Sequence, residues 1–136
     1  ESIVYTMLVG MSGVLYLSGR IDKATSFGKD LIMEGVECYK RIRGITARSY
    51  PTFPNGFVRI WEKEKAVVIL YREEGSAKGL LFVWRQEGEE EIVVPVRAKS
   101  AVRLYPQKAK EEAVCGDTIK VTLEKPYMGR LFQLQF

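Results

Sequence analysis

The sequence predicts a mainly β fold, in which one amphipathic helix precedes a C-terminal antiparallel β-sandwich of about eight strands. Between Thr25 and Arg48, apolar residues recur at spacings of three, four and seven, which is the period of a helix with one buried face. From residue 57 onward, short apolar runs alternate with turn residues, and no helical pattern interrupts them. That order of elements is typical of an antiparallel sandwich.

The segment from Ile3 to Ile21 precedes the helix and has no clear period. It is apolar, but Gly10, Gly13 and Gly19 interrupt it. Small residues at this density let backbones approach closely, so we expect a short buried segment and a loop that packs against another part of the protein. The three glycines lack the spacing of a dinucleotide-binding or phosphate-binding loop, and we therefore predict no cofactor.

The predicted helix is bounded by residues that favour helix ends. Asp22, Thr25 and Ser26 are candidate N-caps, because their side-chain oxygens can accept hydrogen bonds from the first free amides. Pro51 and Pro54 prevent the helix from continuing. We expect the stretch 50–56 to form a rigid linker and a turn.

The strands of the sandwich are predicted from short apolar runs. Turn residues separate these runs, and the last run alternates most clearly between apolar and polar side chains. The candidate strands are residues 57–62, 65–73, 79–86, 91–97, 101–105, 112–115, 117–124 and 129–135.

The chain contains no histidine. It therefore lacks the commonest general base at neutral pH and the commonest metal ligand, so Ser-His-Asp and Cys-His arrangements are impossible within it. Cys38 and Cys115 are too few and too far apart in sequence for a zinc site, and we predict no metal. We expect two buried or idle thiols, which favours a reducing compartment such as the cytoplasm without identifying it.

Carboxylates are the remaining candidates for catalysis. Glycoside hydrolysis needs two of them facing each other across a sugar. The acidic residues from Glu87 to Glu91 lie on a predicted turn, where solvent relieves their mutual repulsion. The sequence therefore predicts a solvated turn there, and we assign no catalytic residue in this chain.

The charge pattern argues against a nucleic-acid partner. The net charge of +4 divides equally between residues 1–50 and the remainder, so it does not concentrate into a field that would follow phosphates. No apolar run approaches the roughly 18 residues that a membrane span needs, so we expect no membrane partner.

Trp61 and Trp84 are the candidate sugar-stacking residues. Both lie in predicted strands beside other aromatic residues, and an aromatic ring on a sheet can stack on the apolar face of a sugar. The alternative is that both belong to the core of the sandwich.

The order of several segments resembles a known family. The segments are Gly10–Asp22, Tyr39–Arg43, Phe57–Trp61, Gly79–Arg85 and Gly129–Leu134. Together they resemble the C-terminal region of an α-galactosidase of the melibiase type, glycoside hydrolase family 36. Family members typically carry an acidic residue after the Ser-Gly pair, where this sequence has Arg20.

The resemblance implies two parts. Residues 1–50 would form the end of a catalytic (β/α)8 barrel, consisting of a Gly/Ser-rich loop and the last barrel helix, and residues 51–136 would form the C-terminal β-sandwich domain. The nucleophile and the acid/base would lie upstream, in the barrel of the same polypeptide, so this part would be inactive by itself. The whole enzyme would hydrolyse terminal α-galactosides with retention.

The resemblance also predicts an interaction surface. We expect an exposed apolar surface in residues 1–50, which the upstream barrel or a second copy in a homo-oligomer would cover. Its expected residues are Val4, Leu8, Val9, Val14 and Leu17. Two alternatives remain open: a carbohydrate-binding sandwich that uses an exposed Trp61 or Trp84, and an interaction domain without a ligand.

Overall fold

The computed structural model describes residues 1–108 and 113–136. Within these residues, two α-helices precede eight strands in two antiparallel sheets, which confirms the predicted sandwich. The helices are α1 (Ser2–Met11) and α2 (Ser26–Ala47), with a short 3-10 turn at Ile21–Lys23 between them. The strands are β1 (Tyr50–Thr52), β2 (Val67–Arg72), β3 (Lys78–Trp84), β4 (Glu91–Val94), β5 (Ser100–Tyr105), β6 (Ala113–Cys115), β7 (Ile119–Thr122) and β8 (Gly129–Gln135).

Helix α1 corrects the prediction that residues 3–21 contain no regular helix. Its ten residues carry no charged side chain, so the usual contrast between a polar and an apolar face is too weak to reveal a period. The helix ends at Met11, where the Ser12 amide donates to the Leu8 carbonyl over 2.9 Å. The glycines therefore mark the end of a helix rather than its absence.

Helix α2 confirms the predicted amphipathic helix to within a residue at each end. The Thr25 hydroxyl oxygen accepts a hydrogen bond from the Gly28 amide over 3.0 Å, so Thr25 is the N-cap. The buried stripe of the helix includes Cys38 and Ile42, as the spacing of apolar residues predicts.

The eight strands form two layers. The five-stranded sheet has the order β1-β2-β3-β8-β5, and the three-stranded sheet has the order β4-β7-β6. The sheets enclose an aliphatic core. Among its fully buried members are Val68, Leu81, Val83, Val94, Ile119, Val121, Leu123 and Leu134.

Two of the strand predictions need correction. Residues 57–62 do not form a strand, although they are rich in β-forming residues, and the predicted linker instead contains strand β1. In β1, Pro51 lies opposite Tyr71 on the outer strand of the sheet, where a missing amide is tolerated. Residue 112 of the predicted strand 112–115 lies outside the described residues, and the rest of that strand is β6.

A second core joins the helices to the outer face of the five-stranded sheet. Leu8 and Met11 of α1 and Cys38 of α2 pack there with Phe82 of β3 and Leu131 of β8. The molecule therefore has a helix layer, a five-stranded sheet and a three-stranded sheet. Residues 1–50 and 51–136 both contribute to the second core, and their division into two domains stays a prediction.

No helix among the described residues is long and apolar enough to cross a membrane.

Candidate functional site

The strongest candidate for an interaction site is the segment that follows α1. Val14 and Tyr16 are 71% and 84% exposed, and Val9 and Leu17 are each about half exposed. These exposures confirm part of the predicted apolar surface. Val4 and Leu8 were expected there as well, but that prediction is wrong because α1 turns both toward the second core.

The start of this segment is fixed by contacts to both neighbouring layers. The Tyr71 hydroxyl of the sheet donates a hydrogen bond to the Ser12 carbonyl. The Tyr39 hydroxyl of α2 donates to the Gly13 carbonyl over 3.4 Å. Leu15 then packs directly on Gly10, where an added Cβ would lie 2.6 Å from the Leu15 Cδ1 atom. The segment is therefore held against the helix layer at its beginning.

An apolar groove runs along this segment. It has a volume of about 300 Å³ and lies between α1, the segment and α2. Its lining includes Ile3, Met7, Leu15, Tyr16, Leu17 and Ile32. No Asp, Glu, Lys or Arg side chain lines it among the described residues, so the groove suits an apolar protein surface rather than a charged ligand.

An ion pair between the buried Arg130 and the partly exposed side chain of Glu1 links the start of α1 to the last strand. Arg130 is only 2% exposed, and its Nη1 atom donates to the Glu1 carboxylate over 2.8 Å. Desolvation raises the pKa of the Glu1 carboxyl, but the hydrogen bond and positive charge of Arg130 outweigh it and hold this pKa below its usual value. Sequence reasoning missed this pair. The sequence feature that could have revealed it is the cation Arg130, two residues before Phe132. It lies on a face of β8 whose other residues are apolar, and a charge in such a place needs a partner.

The two candidate sugar-stacking residues lie in different environments. Trp84 is 3% exposed, and its ring stacks on Phe82 with centroids 5.7 Å apart inside the second core. Trp61 is 70% exposed, and the Arg59 guanidinium lies 5.8 Å from its ring centroid. The structure therefore does not bring the two indoles together, and only the Trp61 ring is accessible to a ligand.

Trp61 belongs to an exposed aromatic loop, residues 53–66, between β1 and β2. Phe53 and Phe57 pack edge to face, with centroids 5.5 Å apart. The Asn55 side chain donates to the Val93 carbonyl of β4 over 2.7 Å, so the loop bridges the edges of the two sheets. The Glu87 amide donates to the Lys63 carbonyl over 2.8 Å and fixes the end of the loop.

The acidic residues from Glu87 to Glu91 lie at the turn between β3 and β4. Glu87, Glu89, Glu90 and Glu91 are exposed, as expected for a solvated turn. Glu87 accepts a hydrogen bond from the Tyr127 hydroxyl, and the carboxylate of Glu91 lies 3.5 Å from the Lys120 ammonium. Over residues 1–108 and 113–136, no group of three histidine, cysteine or acidic residues could hold a metal ion.

The cysteines are free thiols, as predicted. Cys38 is buried in the second core, and Cys115 is partly buried on β6. Burial raises the pKa of both thiols, which keeps them protonated and weakly reactive at neutral pH.

Comparison with known proteins identifies the fold. No protein-family model matches the chain, and no curated protein sequence matches it. The structure is similar to an α-galactosidase of glycoside hydrolase family 36, AgaA from Geobacillus stearothermophilus, solved in complex with 1-deoxygalactonojirimycin. The TM-score is 0.69 at 12% sequence identity, over 95% of this chain and 18% of the α-galactosidase chain. The predicted resemblance is thus confirmed for the fold, which corresponds to less than a fifth of that enzyme.

Proposed function

We propose that the chain is the non-catalytic C-terminal portion of an α-galactosidase-like glycoside hydrolase. The observation that carries this proposal is the shared fold, which extends over 95% of the chain and corresponds to 18% of the α-galactosidase. A match of nearly the whole chain to a small part of an enzyme is what a domain of a larger polypeptide produces.

The proposed role is to stabilise the catalytic barrel. One side of the helix layer is buried against the five-stranded sheet through residues such as Leu8, Phe82 and Leu131. The segment that follows α1 is apolar and exposed, so it is available to the upstream barrel. Burying one aliphatic side chain contributes about 1.5–3 kcal/mol. A sandwich that fixes the helices would hold this apolar segment in place against the barrel.

The proposed reaction of the whole protein is hydrolysis of terminal α-galactosides with retention. Such a reaction uses one carboxylate as a nucleophile, which forms a covalent glycosyl-enzyme, and a second as acid and then base. Both groups would come from the upstream barrel of the same polypeptide. No residue of this chain is given either role.

Activity measurements on two proteins test this proposal. The 136-residue chain and the full polypeptide that contains it are assayed side by side on p-nitrophenyl α-galactoside. The proposal predicts hydrolysis by the full polypeptide and none by the 136-residue chain. Hydrolysis by the short chain, or its absence in both, would refute the proposal.

Trp61 supports a second candidate function, binding of a carbohydrate by the sandwich. Its indole is exposed, and the polar Arg59 side chain lies next to it, so a sugar could combine stacking with a hydrogen bond. Titration with galactose, followed by tryptophan fluorescence, tests this candidate. Saturable quenching that Trp61→Ala abolishes would support it. Trp84 is buried, so its fluorescence should not change and serves as the background signal. Identical titration curves for the wild type and Trp61→Ala would reject carbohydrate binding at Trp61.

A further inference from the structure

A cavity at one end of the sandwich gathers positive charge. It has a volume of about 690 Å³, within the range of roughly 300–1,000 Å³ that is usual for small-molecule sites. Arg72 at the end of β2 lines it, together with Arg97 and Lys99 from the connection between β4 and β5. Asp117 is the one acidic residue of the lining within the described part of the chain. Three cations against one anion leave a formal excess of two positive charges.

The guanidinium of Arg72 is held by two contacts that leave its outer nitrogens open. Its Cζ atom lies 3.9 Å from the centroid of the Phe136 ring, and its Nε atom donates to the Ser76 carbonyl over 2.9 Å. In residues 1–108 and 113–136, no group accepts a hydrogen bond from its two Nη atoms. These atoms are therefore available to a ligand, and their fork geometry suits two oxygens of one anion.

The Phe136 ring is itself fixed by its neighbours. A Cβ atom added to Gly79 would lie 2.9 Å from the Phe136 Cε2 atom, so the ring packs directly on the backbone of β3. Gly79 is also the register partner of Arg72, and the Phe136 amide donates to the Ala77 carbonyl over 2.8 Å. The guanidinium is thus positioned before any ligand binds, which lowers the entropic cost of binding.

The other two cations reach the cavity from the connection that precedes β5. The Lys99 amide donates to the Gln135 carbonyl over 2.7 Å, which fixes this connection against the last strand. Arg97 lies 3.6 Å from Asp117, but their side chains are 84% and 93% exposed, so solvent weakens the pair. No acidic side chain pairs with Lys99 among the residues that the structure describes. The surrounding fold therefore supplies little counter-charge.

From these observations we propose that the cavity binds a small phosphorylated molecule, whose phosphate group lies against Arg72, Arg97 and Lys99. A phosphate ester carries a charge of about −1.5 to −2 at neutral pH, which matches the excess in the cavity better than the single charge of a carboxylate. The Arg72 fork donates to two phosphate oxygens, and the other two side chains add positive charge. This inference goes beyond the proposed function and does not depend on it.

Two-dimensional NMR of the 136-residue chain tests this inference, with inorganic phosphate as the probe at constant ionic strength. We expect saturable shifts of the Lys99 and Gly116 amides, because both residues line the cavity. Arg72→Gln should weaken the affinity for phosphate roughly tenfold or more, since it removes both the charge and the fork of donors. Absence of saturable shifts at the two amides of the wild type would overturn the site.

Further variants separate a specific site from a general attraction of anions. Lys99→Gln alters a second exposed cation of the cavity and should also weaken phosphate binding, so the test does not depend on one variant. Arg43→Gln, at an exposed arginine on α2 that does not line the cavity, is the matched control and should leave the affinity unchanged. Unchanged affinity in both cavity variants, or an equal loss in the control, would contradict the site.

A second probe tests the preference for phosphate. Acetate carries a carboxylate and should bind roughly tenfold or more weakly than phosphate at the same ionic strength, because the cavity has an excess of two positive charges. Equal affinities for the two anions would refute a phosphorylated ligand.

Discussion

At the scale of single residues, the Glu1 and Arg130 pair adds an electrostatic link to the apolar contact between the first helix and the last strand. A guanidinium that is almost fully buried requires a negative partner, because an unpaired charge in the interior costs several kcal/mol. Glu1 supplies that charge from the start of α1. The pair therefore couples the position of α1 to β8, which lies in the middle of the molecule.

The first prediction concerns the loss of this charge. Glu1→Gln keeps the shape of the side chain but removes the negative charge that Glu1 presents to the buried Arg130, and we expect the free energy of unfolding at pH 7 to fall by about 1–3 kcal/mol. Urea denaturation of the 136-residue chain measures the change. Glu74→Gln, at an exposed carboxylate, is the matched control and should change stability by less than about 0.5 kcal/mol.

The second prediction concerns pH. Because the pKa of Glu1 is lowered in the folded chain, its stabilising contribution is complete above its usual value of 4.5 and is lost as the pH falls through the lower folded value. The difference in unfolding free energy between the wild type and Glu1→Gln should therefore shrink as the pH is lowered below 4.5. A difference that stays constant from pH 7 to pH 3 would contradict this assignment.

At the scale of elements, the aromatic loop is fixed by a close contact with the turn between β3 and β4. A Cβ atom on Gly88 would lie 1.9 Å from the carbonyl oxygen of Glu64, so no side chain fits there unless the loop moves. The glycine is thus required for the approach of two backbones, and this approach positions the segment that carries Trp61.

The third prediction follows from this contact. Gly88→Ala should destabilise the chain by about 1–3 kcal/mol, because the backbone of the loop must move away from the turn. Gly13→Ala is the control, since an added Cβ there meets no atom within 4 Å. Thermal unfolding of both variants provides the comparison. Equal melting temperatures for the two variants would show that the contact contributes nothing.

The elements also show what local pattern can and cannot predict. Helix α2 was predicted because its two faces differ in polarity, whereas α1 was missed because it lacks charged residues. Residues 57–62 have high β propensity and yet form a loop, since strand formation needs a partner strand as well as suitable residues. β1 was missed because Pro51 indicates a turn, although an outer strand tolerates it.

The candidate site was only partly predictable for a similar reason. The exposure of Val14 and Leu17 was predicted because both residues belong to an apolar segment that lies outside the predicted sandwich. The buried positions of Val4 and Leu8 depend on the helix, and the pairing of Arg130 with Glu1 joins residues at opposite ends of the chain. Neither a local period nor residue composition contains that information.

At the scale of the whole molecule, the exposed apolar segment should make the 136-residue chain self-associate when no barrel is present. Tyr16→Lys would place a charge in such a contact, and we predict that it raises the dimer dissociation constant roughly tenfold or more, which corresponds to about 1.4 kcal/mol. Sedimentation velocity over a range of concentrations measures this. Val114→Lys, at an exposed position on β6, is the matched control, and the same effect from both variants would argue against a specific surface.

We propose that the sandwich stabilises a glycoside hydrolase without taking part in catalysis. Leu123 is fully buried between the two sheets, and truncation of such a leucine costs about 2–5 kcal/mol. The most direct test is Leu123→Ala in the full polypeptide, assayed on p-nitrophenyl α-galactoside over a range of temperatures. We expect thermal inactivation several degrees lower, with KM and kcat unchanged at temperatures where the protein is folded. Altered KM or kcat at those temperatures, or an unchanged inactivation temperature, would contradict it.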